Sequence, residues 1–412
     1  MRDNASSVGR RTDSEASTHS AIGASFMEKV IIYKNDILNI SETFIRNQAA
    51  AVSAFEMHFA GLGPVRGPSL SGLSGGEPVL LTNNHTLVSR LRRSLFKQSG
   101  LGTNGFLRSL AQLEPSLIHA HFAQDGTVAM KLAERLGVPF VTTLHGYDVT
   151  MRDEFFSKTR NGRSYLRSRE QLWSRCSHFF ASCAYIRNRA IEAGFPGEKI
   201  EVLYSGHDRG SFHVSKQPRN PNLIVYVGRL VEKKGGPYLV RAAALAAKQH
   251  PSLELAIIGD GPLRAEMEEL ARESGINCRF LGRLLNLEPG NTVFDWLSRA
   301  RVFCMPSVTA ANGDSEGQPA VFVEAHALGT PAVSFQSAGI GEVVLDGETG
   351  FLAPEKDVVA LASRLVQLLT DDALWARFSE RARTWVWDRF DSGLINQQLE
   401  LAYRRVIDAY GR

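Results

Sequence analysis

The 412-residue chain has no apolar run of the roughly 18 residues needed to cross a membrane, so a helical membrane span is excluded at the outset. Cysteine is scarce. The four present, Cys176, Cys183, Cys278 and Cys304, show no C-x-x-C spacing, which argues against a zinc site or a dithiol centre. Three of them adjoin strand-like apolar runs and are expected as buried, reduced thiols. A dinucleotide fingerprint is also missing. Gly61, Gly63 and Gly67 imitate one, but the third glycine falls one place late, Pro64 intrudes and no helix follows, which argues against a dehydrogenase. Residues 1–25 are rich in Ser, Thr, Ala and charge without an apolar core, and Arg10-Arg11 is not followed by the apolar segment of an export signal. They read as a disordered leader or a mis-set start, and the expected location is the cytoplasm. No internal repeat is evident.

What is present is an ordinary globular composition, with 43% hydrophobic and 22% charged residues. The net charge of +4 and pI near 8.9 permit an anionic partner without naming one. At about 100–200 residues per domain, the length suits two domains or three. Short apolar runs alternate with helical stretches, as in parallel α/β sheets. Runs at 29–33, 117–122, 139–144, 178–183 and 200–206 fit a first sheet. Beyond a linker over 207–222, rich in Pro, Asn and basic side chains, runs at 223–230, 255–258, 280–282, 302–307 and 331–335 fit a second. The expected layout is a first domain over 26–206, a second over 223–384 and a closing segment over 385–412, whose last helix begins near Gly393.

Two carboxylates eight residues apart, Glu316 and Glu324, are the chemistry around which the rest can be placed. Gln318 is expected to cap a helix whose first residue is Pro319, where a missing N–H is tolerated, so the helix starts between the two acids. Its unpaired N–H groups and positive dipole end suit a phosphate, and a carboxylate on either side suits polyol hydroxyls. The expected ligand is one extended sugar–diphosphate–ribose molecule. Taken alone, two glutamates in a loop and a helix are as readily solvated surface residues. Gly228-Arg229, ending an apolar strand, adds cations: Arg229 can bind a diphosphate in bidentate fashion and Lys234 can add a point charge, with Lys233 left to solvent.

The run from Glu316 to Glu324 resembles the E-x7-E motif of glycosyltransferase family 4, retaining enzymes of GT-B fold. Gly228 to Gly235 is similar to that family's G-R-L-x-x-x-K-G. Pro306 to Asp314, and the run Ser41-Glu42-Thr43-Phe44-Ile45, resemble the colanic acid and exopolysaccharide branch. The resemblance covers roughly residues 29–410. It implies an α/β protein of two doubly wound, Rossmann-like domains facing across a cleft, with the last helix crossing back onto the first. It also implies retaining transfer of a sugar from a nucleotide-diphosphate donor to a hydroxyl of a glycan or lipid-linked oligosaccharide. Glu316 would hold the sugar and Glu324 the ribose. Gly228, Arg229, Lys234, Gly259, Gly317, Gln318 and Pro319 complete the donor set, and the loop from Arg283 would read the base. His145, at the end of a buried strand, would project into the cleft beside the donor sugar. No Asp-x-Asp occurs, Asp314-Ser315-Glu316 being the nearest approach, so neither metal nor other cofactor is expected. A nucleotide-sugar epimerase of the same fold and a non-catalytic partner in polysaccharide assembly are the alternatives. The second should have lost some of Arg229, Lys234, Glu316 and Glu324, and all four are present.

On the acceptor side the candidates are Ser41, Thr43, His119, His121 and Asp148. His119 and His121 alternate along one strand and so face one way; lacking a third ligand, they are expected to line a polar cleft rather than hold a metal. Ser41 is as readily a helix cap, and Asp148 a turn anchor. Gly339 and Gly341 either approach the nucleotide or simply turn the chain. Residues 86–100 carry Arg90, Arg92, Arg93 and Lys97 without an acid, beside a helical stripe of Leu87, Val88, Leu91, Leu95 and Phe96. Either the stripe packs on the sheet, or the helix lies on an anionic membrane where a polyprenyl-linked acceptor would be met. The basic stretch 158–175 would share that face. Nucleic acid is not an expected partner.

Overall fold

The computed structural model describes residues 27–38, 42–67, 69–70, 72–99, 104–284 and 290–411. The expectations placed on residues 1–25, on Ser41 and on most of the loop after Arg283 lie outside the described residues.

Seven strands form the first sheet: β1 (Lys29–Lys34), β2 (Glu56–Gly61), β3 (Val79–Leu80), β4 (Leu117–His121), β5 (Phe140–Leu144), β6 (His178–Ala181) and β7 (Ile200–Val202). All run parallel, in the order β3-β2-β1-β4-β5-β6-β7. Six more form the second: β8 (Asn220–Val227), β9 (Glu254–Ile258), β10 (Asn277–Gly282), β11 (Ala300–Cys304), β12 (Ala332–Phe335) and β13 (Gly350–Ala353). These too are parallel, ordered β10-β9-β8-β11-β12-β13. Each sheet therefore reverses its strand order once, at β1/β4 and at β8/β11. Crevices open outside the strand ends at such reversals, and that is where ligands bind in this architecture.

Helices cover both faces of each sheet, which is why the central strands read as unbroken apolar runs. Period-two alternation sorts β1 between two cores: Ile31 and Tyr33 join one, Val30 and Ile32 the other. The second of these also takes Ile395, Leu399, Ala402 and Tyr403 from the terminal helix Ser392–Tyr410, so the chain ends packed on its first sheet. The two crossings between sheets run side by side, with His207 N–H donating to Phe390 O at 2.8 Å and Ser392 N–H to His207 O at 3.0 Å.

Three local expectations shift. β8 begins at Asn220, paired with Ala300, so the expected linker ends inside a strand. β11 spans Ala300–Cys304 rather than 302–307, because Pro306 cannot donate to a ladder. The helix after the central loop is Ala320–Ala327, with Pro319 as its extended cap residue rather than its first turn, and no side chain caps it.

Candidate active site

At the β8/β11 reversal the loop after β8 meets the loop after β11. Gly228 N–H donates to Ile258 O at 2.9 Å, closing the end of the strand. Gly259, at φ +134°, lies so close that a Cβ there would sit 1.9 Å from Gly228 O, so only glycine fits this turn. The two loops hold four charges in pairs. Lys234 Nζ lies 2.9 Å from Glu316 Oε1, as an ion pair rather than a well-aligned hydrogen bond, and Lys233 Nζ donates to Asp314 Oδ1 at 2.9 Å. Lys233 is thus no solvated surface residue, contrary to expectation. The register that sets it beside Asp314 comes from Val308 N–H donating to Lys233 O at 2.9 Å, a contact invisible in the sequence. Burial works to raise the Glu316 carboxyl, but Lys234, then Lys233 and Arg229, outweigh it and hold the group below the usual carboxylate range. The Arg229 guanidinium is exposed and has no partner among the described residues.

Gln318 does not cap the helix. Its amide reaches the other domain, accepting from Ser205 N–H at 2.5 Å and donating to Ser205 O at 3.0 Å, so this expected donor contact is already engaged. Gly317 is likewise pressed against the first domain, where a Cβ would lie 2.5 Å from His145 O. Gly339 N–H donates to Glu316 O at 3.1 Å, a turn supporting the central loop. Glu324 lies one turn into helix Ala320–Ala327, half-buried, with no cation among the described residues to offset its surroundings. Burial pushes its carboxyl up to about 7. Arg283 is exposed at the edge of the described residues.

Facing these loops from the first domain is a stack of rings at the ends of β4 and β5. His145 Nε2 lies 3.0 Å from His121 Nδ1, and its ring is flanked by Phe44 at 4.9 Å and Phe122 at 4.7 Å. Burial, then the Lys34 ammonium, keeps His145 well below its ordinary pKa and therefore neutral. His119 does stack on His121 as strand alternation requires, at 4.4 Å. It does not line the cleft, however. Fully buried, it bonds Tyr403 Oη at 2.5 Å and Thr143 Oγ1 at 2.6 Å, tying the terminal helix to the sheet, and burial lowers its pKa to about 3. Asp148 is a turn anchor and not an acceptor contact: its carboxylate accepts from the N–H groups of Ala123 at 3.1 Å, His145 at 3.1 Å and Gly146 at 2.8 Å. Burial raises it to about 6 against those donors. Thr43 is exposed, as first residue of helix Thr43–Ala51.

The central loop also docks on the first domain. Arg152 N–H donates to Asn312 O at 3.0 Å, and Tyr185 Oη lies 3.1 Å from Ser315 Oγ. Glu342 accepts from Ala184 N–H and Tyr185 N–H, each at 2.8 Å, capping helix Ala184–Glu192 from across the cleft. At the β1/β4 reversal sits a group the sequence reading missed. Lys34 Nζ lies 3.2 Å from Glu42 Oε1 and 3.4 Å from Asp125 Oδ2, beside a cavity of about 340 Å³. The available signal was a lysine ending a buried strand.

A family model described as Glycosyl transferases group 1 matches residues 209–385, and one described as Glycosyltransferase Family 4 matches residues 67–210. WcaL of Escherichia coli, assigned as a colanic acid biosynthesis glycosyltransferase, is 35% identical over 288 residues, covering 68% of each chain. The amylovoran biosynthesis glycosyltransferase AmsK of Erwinia amylovora is 31% identical over 284 residues, 68% of this chain and 67% of its own. Among solved structures, HepE of Anabaena in complex with UDP superposes with a TM-score of 0.72 at 19% identity, over 92% of this chain and all of its own. Sucrose-phosphate synthase of Thermosynechococcus elongatus gives 0.71 at 19% identity over 93% of this chain. At such identity these last two speak for the fold alone.

Proposed function

This chain belongs to glycosyltransferase family 4 and has the GT-B fold, and from that premise we propose that it moves a sugar from a nucleotide-diphosphate donor to an acceptor hydroxyl with retention, in exopolysaccharide assembly. The observation that carries the donor half is the β8/β11 crevice, where Arg229, Lys233 and Lys234 surround one ionised buried glutamate next to a helix start. As the bond to the leaving diphosphate breaks, negative charge grows on its oxygens. Arg229 and Lys234 meet that charge with donors already in place, a contribution that reaches about 3–4 kcal/mol per donor in preorganised sites. Glu316 exchanges its lysine for a sugar hydroxyl, Glu324 accepts from the ribose, and His145 lines the acceptor side as a neutral group. These cations supply the charge a metal would otherwise bring, so turnover is expected to survive EDTA.

The testing experiment is a thermal-shift screen of UDP, GDP and ADP with their sugar conjugates. A ligand at 100 times its Kd stabilises by about 2.7 kcal/mol. A shift with one base, lost in Glu324→Ala, is the expected result; no shift with any of them overturns the nucleotide-sugar reading.

No helix among the described residues is long and apolar enough to cross a membrane. A peripheral contact is supported instead by helix Leu87–Ser99. Phe96 alone of its stripe is buried, while Leu87, Val88, Leu91 and Leu95 are 75%, 74%, 70% and 55% exposed, so the face expected to pack on the sheet largely does not. Arg90 and Arg92 flank it in solvent, whereas Arg93 is held by Thr82 Oγ1 at 2.9 Å and Asn84 O at 3.0 Å. An exposed apolar stripe between cations suits an anionic lipid surface, with about 1 kcal/mol per basic residue near it, and a lipid-linked acceptor would be met there. Co-sedimentation with vesicles containing anionic lipid should fall with salt and in Leu91→Asp. Binding that is equal to neutral vesicles would remove the electrostatic part.

A further inference from the structure

Helix Ala320–Ala327 follows Glu316 and carries Glu324, and its two ends are held in different ways. No side chain caps its N-terminus, so the donors there stay open to a ligand. Its C-terminus is tied down. Leu328 N–H donates to Glu324 O at 3.2 Å, Gly329 N–H to His326 O at 2.9 Å and Thr330 N–H to Ala325 O at 2.8 Å, with Gly329 turning the chain at φ +71°. Side chains from elsewhere take the next carbonyls. Ser379 Oγ donates to Gly329 O at 2.6 Å, and Arg219 Nη2 donates to Leu328 O at 3.1 Å. The helix is thus held from its far end, which leaves the end that faces the crevice unencumbered.

Arg219 does more than close this end. Its Nη1 donates to Ala300 O, at the first residue of β11, and to Thr330 Oγ1 at 2.8 Å, while Thr330 Oγ1 donates to Leu297 O at 2.6 Å. One planar guanidinium therefore joins the entry of β8, the entry of β11 and the end of the motif helix, a task for a rigid fork rather than a single donor. The basic stretch that leads to it is no loose tether. Phe212 stacks on Phe294 at 5.0 Å, His213 Nε2 lies 3.0 Å from Thr292 Oγ1, and Ser215 N–H donates to Ser298 Oγ at 3.0 Å, so it is laid along helix Val293–Arg299 of the second domain. The cation is costly where it stands. No carboxylate among the described residues pairs with it, and burial, then the charges of Arg383 and Arg301, lower its pKa to about 10, so it stays charged at neutral pH. What meets that charge is the negative pole of the motif helix. A neutral side chain could close one carbonyl at less cost, but it could not hold three elements in fixed register. The helix is eight residues long, about 12 Å at about 1.5 Å per residue, so a displacement at Leu328 is carried to its start.

We infer that Arg219 is a positioning residue for the transfer: it sets the motif helix along its axis from behind, and so fixes where Glu324 and the open N–H groups meet the donor. The inference rests on the nucleotide-sugar reading of the β8/β11 crevice. Its test compares Arg219→Met with Arg301→Met in the full chain. Arg301 is a fair control, because it is buried at the same end of the second sheet and packs on the same Trp375 ring at the same 4.9 Å, yet it holds Leu368 O and Asp372 instead of the motif helix. Both variants should unfold at lower denaturant. Calorimetry with UDP, GDP and ADP, at temperatures equally far below each variant's Tm, should separate them. Affinity for the nucleotide that the unaltered chain binds should fall by about tenfold in Arg219→Met, as loss of one or two well-aligned hydrogen bonds predicts, and by less than about twofold in Arg301→Met. Transfer by Arg219→Met should fall by about a hundredfold, the cost of misplacement by about 1 Å. The rise of affinity with pH towards 7 should flatten in Arg219→Met alone, since Glu324 no longer meets the ribose. If Arg219→Met does not fold, Arg219→Lys decides: it keeps the charge but cannot span three acceptors, so affinity should still fall by at least about threefold. Unchanged affinity in the folded Arg219 variant, or equal losses in the Arg219 and Arg301 variants, makes Arg219 a residue of stability alone and overturns the inference while the donor reading stands. An unaltered chain that binds none of the three nucleotides overturns the donor reading and this inference with it.

Discussion

The two strand-order reversals hold charge in different ways. At β8/β11, three cations (Arg229, Lys233 and Lys234) face two carboxylates (Asp314 and Glu316), a net of one positive charge with the Arg229 guanidinium still unpaired. At β1/β4, Lys34 lies between Glu42 and Asp125, Asp36 pairs with Arg66 at 3.8 Å and Lys97 lines the same cavity, so three cations balance three carboxylates, beside histidines that burial keeps neutral. The contrast follows the chemistry proposed for each side. A departing diphosphate gathers negative charge and needs cations that are not already spent. An attacking hydroxyl is neutral, and charges already matched to one another leave it to hydrogen bonds. Electrostatic complementarity of this kind sorts ligands by side as much as it binds them.

The sharpest way to break the comparison is to remove, in turn, the paired and the unpaired cation of the β8/β11 crevice. Lys234→Met leaves the Glu316 carboxylate buried without its partner; the cost should be about 2–3 kcal/mol, below the 3–5 of a fully buried pair because Lys234 keeps some access to water. Transfer should fall by about 10²–10³. Adding Glu316→Gln should recover most of the stability and none of the rate, read from denaturant midpoints and a transfer assay. Arg229→Ala has no ion pair to lose, so its rate should collapse while stability falls by less than in Lys234→Met. A near-normal rate for Arg229→Ala or Glu316→Ala would refute the assignment of this crevice to the donor.

A smaller effect sharpens the same contrast through pH. Glu324 is the one carboxyl of the motif with no cation beside it among the described residues, and burial raises it to about 7. Two hydroxyls donated to it would favour the ionised form, so binding should release part of a proton at pH values near and below 7. Nucleotide affinity should accordingly rise with pH up to about 7 and then level off. The same raised value works against the folded apo protein: this contribution to stability is fully present below the ordinary glutamate range and is lost as pH rises through about 7. Calorimetry of nucleotide binding in buffers of differing ionisation enthalpy reads the proton directly, and binding enthalpies independent of buffer would exclude Glu324 from the ribose.

The grouping of charges in the β8/β11 crevice was legible in the sequence because its chemistry is local. Arg229 and Lys234 lie within one loop, Glu316 and Glu324 within one loop and helix, and buried parallel strands announce themselves as apolar runs. What escaped depended on contacts between distant segments. Lys233 looks like any surface lysine until the β11 loop brings Asp314 to it. His119 and His121 look alike on β4, yet Tyr403, 284 residues further on, claims one and leaves the other to His145. Asp148 could be read as a turn anchor from Gly146, but not the donation from Ala123 that completes its shell. Lys34, Glu42 and Asp125 come from three separate elements and form a group only once β1 and β4 are neighbours.

Gln318 is where the two readings of one residue part most usefully, since the motif suggests a donor contact and the structure spends its amide on Ser205. The clip replaces water at a backbone N–H and C=O beside the chain crossing at His207, so it acts on how the domains are held rather than on either ligand. Gln318→Ala should then lower stability by about 1–2 kcal/mol for two net hydrogen bonds and change nucleotide affinity by less than about twofold. If Gln318 instead leaves Ser205 to reach the donor, the balance inverts. Affinity would fall by about five- to tenfold for a lost hydrogen bond of that size, while the empty protein would melt almost unchanged. Measuring both quantities on the one variant separates a residue that binds from a residue that holds the two halves together.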